Sequence, residues 1–230
     1  MTKVFCDIAD ISLIKKFDTK SIVKGFTTNP SLMRKAGAKH YKNYSKDILK
    51  ITNKPVSFEV FADNERTMIL QGVKISEWGK NVYVKVPVTN SKGKFTGKVI
   101  YELNKKKIKL NITAVYTSEQ TKKILKKINK KTKVIISIFA GRMADVGKDP
   151  ITEIKNSLKL AKKYKNVEIL WASTREPYNF LQAKKLKCHI ITAPPQIIEK
   201  IENFGKTFQK LTIDTVKGFL IDSKKSKFKV

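Results

Sequence analysis

The 230-residue sequence predicts an α/β fold, a closed (β/α)8 barrel of the TIM type forming a single domain over residues 1–230. Three observations carry this. Eight short apolar runs of strand length recur along the chain, stretches of helical periodicity separate them, and no Pro/Gly/Ser linker or low-complexity segment divides the chain. An open, doubly wound sheet is the structural competitor. It usually has fewer strands, and neither GxGxxG nor GxxxxGK[ST] follows the first apolar run.

In chain order the expected strands are VFCDIA (4–9), GFTTN (25–29), VSFEVF (56–61), VYVKVPV (82–88), KLNITAVY (109–116), KVIISIFA (133–140), VEILWAS (167–173) and CHIITA (188–193). Between them, NERTMILQGVKISEWG (64–79) and DPITEIKNSLKLAKKY (149–164) place apolar residues at helical spacing. The lysine-rich KKILKKINKKTK (122–133) also reads as the solvated face of a helix. After residue 194, PPQIIEKIENFG gives the eighth helix, and a C-terminal helix follows at about 207–222, with 223–230 expected as a flexible tail.

Alternation splits each strand into two faces. In residues 82–88 one set is Val82, Val84, Val86 and Val88, and the other is Tyr83, Lys85 and Pro87. Four further strands repeat the pattern. Phe5, Asp7 and Ala9 form one inner set, and Ser57, Glu59 and Phe61 a second. Asn111, Thr113 and Val115 form a third, and Ile135, Ser137 and Phe139 a fourth. In a barrel the purely apolar set faces the helices. The mixed set faces inward, its polar members late in the strand where a barrel's active site forms. A buried lysine and two carboxylates in one small volume cost stability unless they act together. Desolvation in an apolar enclosure disfavours a lysine's charged form and so helps supply the neutral amine that attacks carbonyl substrates, while the nearby carboxylates push the other way; Glu59 and Asp7 are positioned for the proton transfers.

Composition narrows the alternatives. The formal charge is +30, from 45 lysines and only four arginines against 19 acidic residues. A dedicated nucleic-acid module would also use arginine, whose fork suits phosphates and bases. The lysines instead line helix faces, so no specific nucleic-acid partner is expected, and a basic binding protein on a barrel scaffold is the remote alternative. No apolar run approaches the length of a membrane span, and no signal peptide is read. Cys6 and Cys188 match no metal-ligand spacing and are expected as reduced thiols in the cytoplasm.

The stretches FCDIAD, GFTTNPSLM, VSFEV, VYVKVPVT, LNITAVYT, SIFAGRMADVG, ILWASTREP and ITAPP resemble, in order and spacing, the small single-domain transaldolases and the similar fructose-6-phosphate aldolases. The resemblance covers nearly the whole chain. It implies a Schiff base on Lys85, with Asp7 as the acid/base for the C4 hydroxyl proton. It also implies a catalytic water held by Glu59 and Thr113. Thr27, within the GFTTNP motif, would contribute to substrate binding, Asn29 and Asn111 would bind the dihydroxyacetone unit, and Ser137 would touch it. Arg142, Ser173 and Arg175 would hold phosphate. Two of the four arginines falling in these strand-end motifs agrees with that last role. Glu59 and Phe139 match the transaldolases, where the aldolases carry Gln and Tyr. The implied reaction is transfer of dihydroxyacetone from sedoheptulose 7-phosphate or fructose 6-phosphate to an aldose phosphate in the non-oxidative pentose phosphate pathway, with no metal or organic cofactor. The lyase is the alternative. The resemblance also implies a homo-oligomer, a ring pentamer or decamer, with the C-terminal helix on a neighbour; the apolar spacing of Ile213, Val216, Phe219 and Leu220 suits that and equally suits packing on its own barrel. DIAD and MADVGKDP depart from the family's usual wording and leave acceptor preference less defined. His40 reads as a surface residue, and His189 and Trp78 as structural. Trp171 reads as packing, with lining the pocket as the alternative because it shares the inward parity of Ser173. Asp145 stands near enough in sequence to orient Arg142, with a turn residue as the simpler reading.

Overall fold

The eight strands close on themselves in the order β1 to β8, each parallel to its neighbours, in a computed structural model that describes residues 1–226. The strands are β1 (Lys3–Asp7), β2 (Val23–Thr27), β3 (Val56–Glu59), β4 (Val82–Pro87), β5 (Leu110–Val115), β6 (Val134–Ile138), β7 (Val167–Trp171) and β8 (Ile190–Ala193). Single helices follow five of them within the barrel: α1 (Ile11–Asp18), α4 (Glu65–Ser76), α5 (Gly97–Lys105), α6 (Ser118–Leu125) and α9 (Tyr178–Lys185). Two connections carry an extra short helix: α2 (Pro30–Lys35) before α3 (Tyr41–Ile51), and α7 (Ala140–Ala144) before α8 (Ile151–Ala161). The chain ends in α10 (Pro195–Glu202) and α11 (Phe208–Ser226).

Strand alternation separates two cores. Val4 and Cys6, Val56 and Phe58, Val82, Val84 and Val86, and Val134, Ile136 and Ile138 join the helices in one continuous apolar layer. α10 turns Ile197, Ile198 and Ile201 into it, and α5 contributes Val99, Ile100 and Leu103. Each helix needs only such a stripe, which leaves its remaining faces to lysine. Inside the barrel a small second cluster of Phe5, Tyr83, Ile135, Leu170, Ala172 and Ile190 fills the lower volume. Gly25 makes room for it: a Cβ there would stand 2.6 Å from the Phe5 ring.

Several boundaries differ from the sequence reading, each for a local reason. β2 ends at Thr27 because Asn29 caps α2, its side chain accepting from the Leu32 N–H at 2.9 Å, with Pro30 at the first helical position. β3 ends at Glu59, so Phe61 is 61% exposed and does not join the inner set. In β5, Ala114 takes a φ of 57° and the pairing with β6 shifts between Ile112 and Val115. This bulge turns Val115 to the outer layer instead of the interior. The lysine-rich 122–133 stretch is not one helix. α6 stops at Leu125, and Asn129 accepts from the N–H groups of Lys131 and Thr132, each at 2.8 Å, to shape the turn into β6. α11 extends to Ser226, so residues 223–226 are helical where a tail was expected; residues 227–230 lie outside the described residues. None of its residues is buried.

Filling the space over Phe5 tests the inner layer. Gly25→Ala forces the ring to shift, at a cost of about 1–3 kcal/mol for an overpacked core. A thermal melt should show the midpoint lowered by roughly 2–10 °C for a chain of this size. An unchanged midpoint would mean the interior has slack at this level.

Candidate active site

The barrel register gathers the polar residues at one depth. Glu59 pairs with Lys85 across β3 and β4, Lys85 with Asn111 across β4 and β5, and Asp7 with Thr27 across β1 and β2. All lie at or near the carboxyl ends of their strands. Above them, Phe139 is the N-cap of α7 and Arg142 lies within that helix, while Ser173 and Arg175 come from the β7–α9 connection. Eleven of the twelve residues singled out from sequence line a single cavity of about 250 Å³: Asp7, Thr27, Asn29, Lys85, Asn111, Thr113, Ser137, Phe139, Arg142, Ser173 and Arg175. Glu59 does not line it. Its carboxylate stands behind the Lys85 amine instead, at 3.1 Å.

Lys85 is 7% exposed, and its Nζ donates to the Thr28 carbonyl at 3.0 Å. With Glu59 beside it, the ammonium has both a countercharge and a neutral acceptor. Tyr41, at the start of α3, holds the Glu59 backbone: its hydroxyl donates to the Glu59 carbonyl at 3.0 Å and accepts from the Glu59 N–H at 2.8 Å. Asp7 is enclosed by protein, which pushes its carboxyl above the ordinary range. The Lys85 charge and a 2.7 Å hydrogen bond from Thr27 act in the opposite direction.

Asn111 is pinned at both ends, donating to Ser57 Oγ at 3.0 Å and accepting from Ser137 Oγ at 2.6 Å. This fixes which way its amide points and leaves an N–H for a ligand. Thr113 Oγ1 lines the cavity with no protein partner among the described residues, and it is buried. Its hydrogen-bonding capacity is therefore directed at whatever enters.

The cationic end depends on a close backbone approach. Ser173 takes a φ of 64°, ending the alternation of β7, and a Cβ on Gly141 would lie 1.6 Å from the Ser173 carbonyl oxygen. Only glycine allows α7 to touch this loop and bring Arg142 and Arg175 to one rim. Arg142 sits over the Phe139 ring, 5.3 Å from its centre. Asp145 engages Arg175 rather than Arg142, at 2.9 Å from Nε and 2.5 Å from Nη2. That contact holds the Asp145 carboxyl below its usual range and raises the guanidinium. The simpler reading of Asp145 as a turn residue thus gives way to an ion pair that orients the other arginine.

Residues left out of the sequence reading also line the cavity: Ala172, Thr174, Thr192 and Pro194. Thr192 carried a usable signal, since it alternates with the inward Ile190 and is the polar residue late in β8. Trp171 packs in the outer layer and takes no part in the cavity. His189 lies at the opposite end of the barrel, its Nδ1 accepting from the Ile169 N–H at 2.9 Å, and burial lowers its proton affinity. His40 is the exposed N-cap of α3 and makes no capping bond. Cys6 and Cys188 are free and buried, and burial pushes the Cys188 thiol up to about 12. Among the described residues, no group of three His, Cys, Asp or Glu side chains is placed to hold a metal, and no helix is long and apolar enough to cross a membrane.

Comparison with known proteins gives a consistent picture. The family described as Transaldolase/Fructose-6-phosphate aldolase matches residues 4–230. A protein of Nitrosopumilus maritimus named "Probable transaldolase" is 33% identical over 221 residues, covering 91% of this chain and 96% of the relative. One of the same name from Methanococcus maripaludis is 32% identical, covering 96% of each chain. Among solved structures, orotidine 5'-monophosphate decarboxylase from Metallosphaera sedula superposes with a TM-score of 0.56 at 12% identity, over 88% of this chain and 96% of that one. At that identity the likeness is one of barrel fold alone.

The raised carboxyl of Asp7 has a consequence for stability. A carboxyl that ionises less readily in the folded chain makes stability fall as pH rises above the ordinary carboxylate range. Asp7→Asn removes that loss and still offers an oxygen to Thr27. Its melting midpoint at neutral pH should exceed the parent's. The two should converge toward pH ~4. A variant that melts lower at neutral pH would show that the carboxylate contributes stability.

Proposed function

This chain belongs to the transaldolase/fructose-6-phosphate aldolase family, and we propose that it acts as a transaldolase of the cytoplasm, moving a dihydroxyacetone unit from a ketose phosphate to an aldose phosphate. The carrying observation is Lys85, buried at the cavity wall between the Glu59 carboxylate and the Thr28 carbonyl, with Asp7 lining the same cavity. Donors are sedoheptulose 7-phosphate or fructose 6-phosphate, and the route belongs to the non-oxidative pentose phosphate reactions.

The donors and acceptors around Lys85 support the following steps. Lys85 gives a proton to Glu59, and the freed amine attacks the donor's C2 carbonyl to form a carbinolamine. Glu59, through a water also held by the unpartnered Thr113 hydroxyl, returns a proton to the departing oxygen, and an iminium forms as water leaves. Asp7 then takes the C4 hydroxyl proton. The C3–C4 bond breaks, its electron pair moves into the iminium, and the enamine stays on Lys85 while the aldose leaves. The acceptor aldehyde reverses these steps, receiving the carbon from the enamine and the proton from Asp7, and water then releases the product. The raised proton affinity of Asp7 suits both taking and returning that proton. Asn29, Asn111 and Ser137 hold the three-carbon unit by its hydroxyls, with Thr27 beside Asp7. Arg142, Ser173 and Arg175 hold the phosphate, for which a guanidinium fork is suited. Phe139 places a ring where it offers no hydroxyl proton to the enamine, which favours transfer over release. The route uses no metal or organic cofactor.

The assembly proposed is a homo-oligomer, a ring of five or a pair of such rings, with no specific nucleic-acid partner. Phe208 is 88%, Val216 57% and Phe219 68% exposed on α11, and no residue of that helix is buried. A neighbouring copy is the proposed cover for so much apolar surface.

Borohydride reduction in the presence of fructose 6-phosphate tests the chemistry. A three-carbon adduct should appear on the peptide containing Lys85, and Lys85→Ala should lose transfer by at least about 10⁴-fold. An absent adduct, or an active Lys85→Ala, refutes the mechanism. Dihydroxyacetone released without acceptor at a comparable rate makes the protein the lyase. Deletion of residues 207–230 should convert the oligomer to a monomer in light scattering, and an unchanged mass would refute the role of α11.

A further inference from the structure

Asp7 is held by one hydrogen bond from Thr27, and the origin of that bond's direction lies one residue further away. Thr27 Oγ1 donates to Asp7 at 2.7 Å and also lies 2.6 Å from Thr192 Oγ1. A hydroxyl has a single hydrogen. With its own committed to the carboxylate, Thr27 can only accept from Thr192, so the donors run from Thr192 to Thr27 to Asp7. Both threonines line the cavity, yet protein covers most of each, at 3% and 5% exposed. Thr192 is itself fixed by its backbone: it pairs with Phe5 of β1, and its carbonyl accepts from Thr174 Oγ1 at 2.7 Å.

We propose that Thr192 is a positioning residue for the transfer reaction, holding the Thr27 hydroxyl on the Asp7 carboxylate so that the ionised base is ready for the C4 hydroxyl proton. The inference rests on the Schiff-base reading above. Its physical basis is that each donor in a hydrogen-bonded chain polarises the next, and a stronger donor to a carboxylate favours its charged form. Burial pushes the Asp7 carboxyl upward, and this chain opposes it.

Few charges compete for that role: of the two arginines that share the cavity, Arg175 is paired with Asp145 and Arg142 lies over the Phe139 ring. Lys85 faces Asp7 from β4, with Glu59 behind it on β3. On β1 itself the Cys6 thiol belongs to the outer layer and Lys3 pairs with Glu168. Lys24 of β2 is exposed, and β8 carries no titratable group. α10 packs on β1, but its Glu199 and Glu202 pair outside with Lys16 and Lys20, and Lys200 lies on the same helix. Asp10 caps α1 and takes the Ser12 hydroxyl.

The test is the pH dependence of kcat and KM for transfer from fructose 6-phosphate, measured over roughly pH 5 to 9 in the full-length protein. Thr192→Val replaces the hydroxyl by a methyl of similar size. It should lower kcat by about tenfold, leave KM within about twofold, and move the acid limb upward by roughly half a pH unit or more. Thr192→Ser, which keeps the donor, should restore both limb and rate. A Val variant with the parent's limb and kcat overturns the inference, as does a Ser variant equally impaired, since packing rather than donation would then be at work. Should the Val variant fail to fold, Thr192→Cys, a weaker donor, should give an intermediate shift, and a parental limb in it overturns the inference too. A parent enzyme without the Lys85 adduct removes the Schiff-base reading as well, whereas an adduct with an unmoved limb removes only the role of Thr192.

Discussion

A lysine ammonium taken out of water loses several kcal/mol of hydration unless partners replace it. Lys85 finds two, the Glu59 carboxylate at 3.1 Å and the Thr28 carbonyl at 3.0 Å, and three strands must be in register for both to arrive. Thr28 is locked to β3, its hydroxyl and its N–H both donating to the Ser57 carbonyl. Tyr41, from α3, clamps the Glu59 backbone. A slip of one residue between β3 and β4 would exchange Glu59 for an apolar neighbour and leave the cation uncompensated. The pairing of one buried charge thus constrains three of the eight strands, β2, β3 and β4.

The interior is divided by height. Phe5, Tyr83, Ile135, Leu170 and Ile190 occupy the lower layer, and Lys85, Asp7, Asn111 and Ser137 the level where the strands end. The apolar plug excludes water from beneath, which strengthens the electrostatic contacts above it. It also explains why the carboxyl of Asp7 is displaced upward while its partners resist: the same enclosure that makes a proton exchangeable makes the charge costly. Outside, the constraint relaxes. Exposed pairs such as Lys16 with Glu199 and Lys50 with Asp47 contribute little each, so the surface tolerates a lysine count that the interior would not.

Alternation over five strands was enough to make the barrel and most of its inner residues legible, because strand period and strand polarity are written in neighbouring positions. Asp7, Glu59, Lys85, Asn111, Thr113 and Ser137 follow from that rule alone, and Thr192 would have followed had it been extended to β8. The rule failed where the backbone stopped obeying it. Phe61 lies beyond the end of β3, Ala114 forms a bulge that sends Val115 outward, and the turn at Ser173 separates that residue from the face of Trp171. Such breaks depend on φ angles and on contacts with other strands, neither of which a two-residue period records.

What the sequence determined by itself is a cyclic series of strands and helices with one lysine and two carboxylates turned toward a common axis. Only the tertiary structure decided which groups meet. Glu59 stands behind Lys85 rather than in the cavity, Asp145 holds Arg175 rather than Arg142, and Gly141 admits the Ser173 carbonyl. α11 leaves its apolar residues unburied. These outcomes join residues from 26 to 32 positions apart in sequence, or leave a whole helix without a buried residue. Closure of the barrel sets such distances, and closure is a property of all eight strands together.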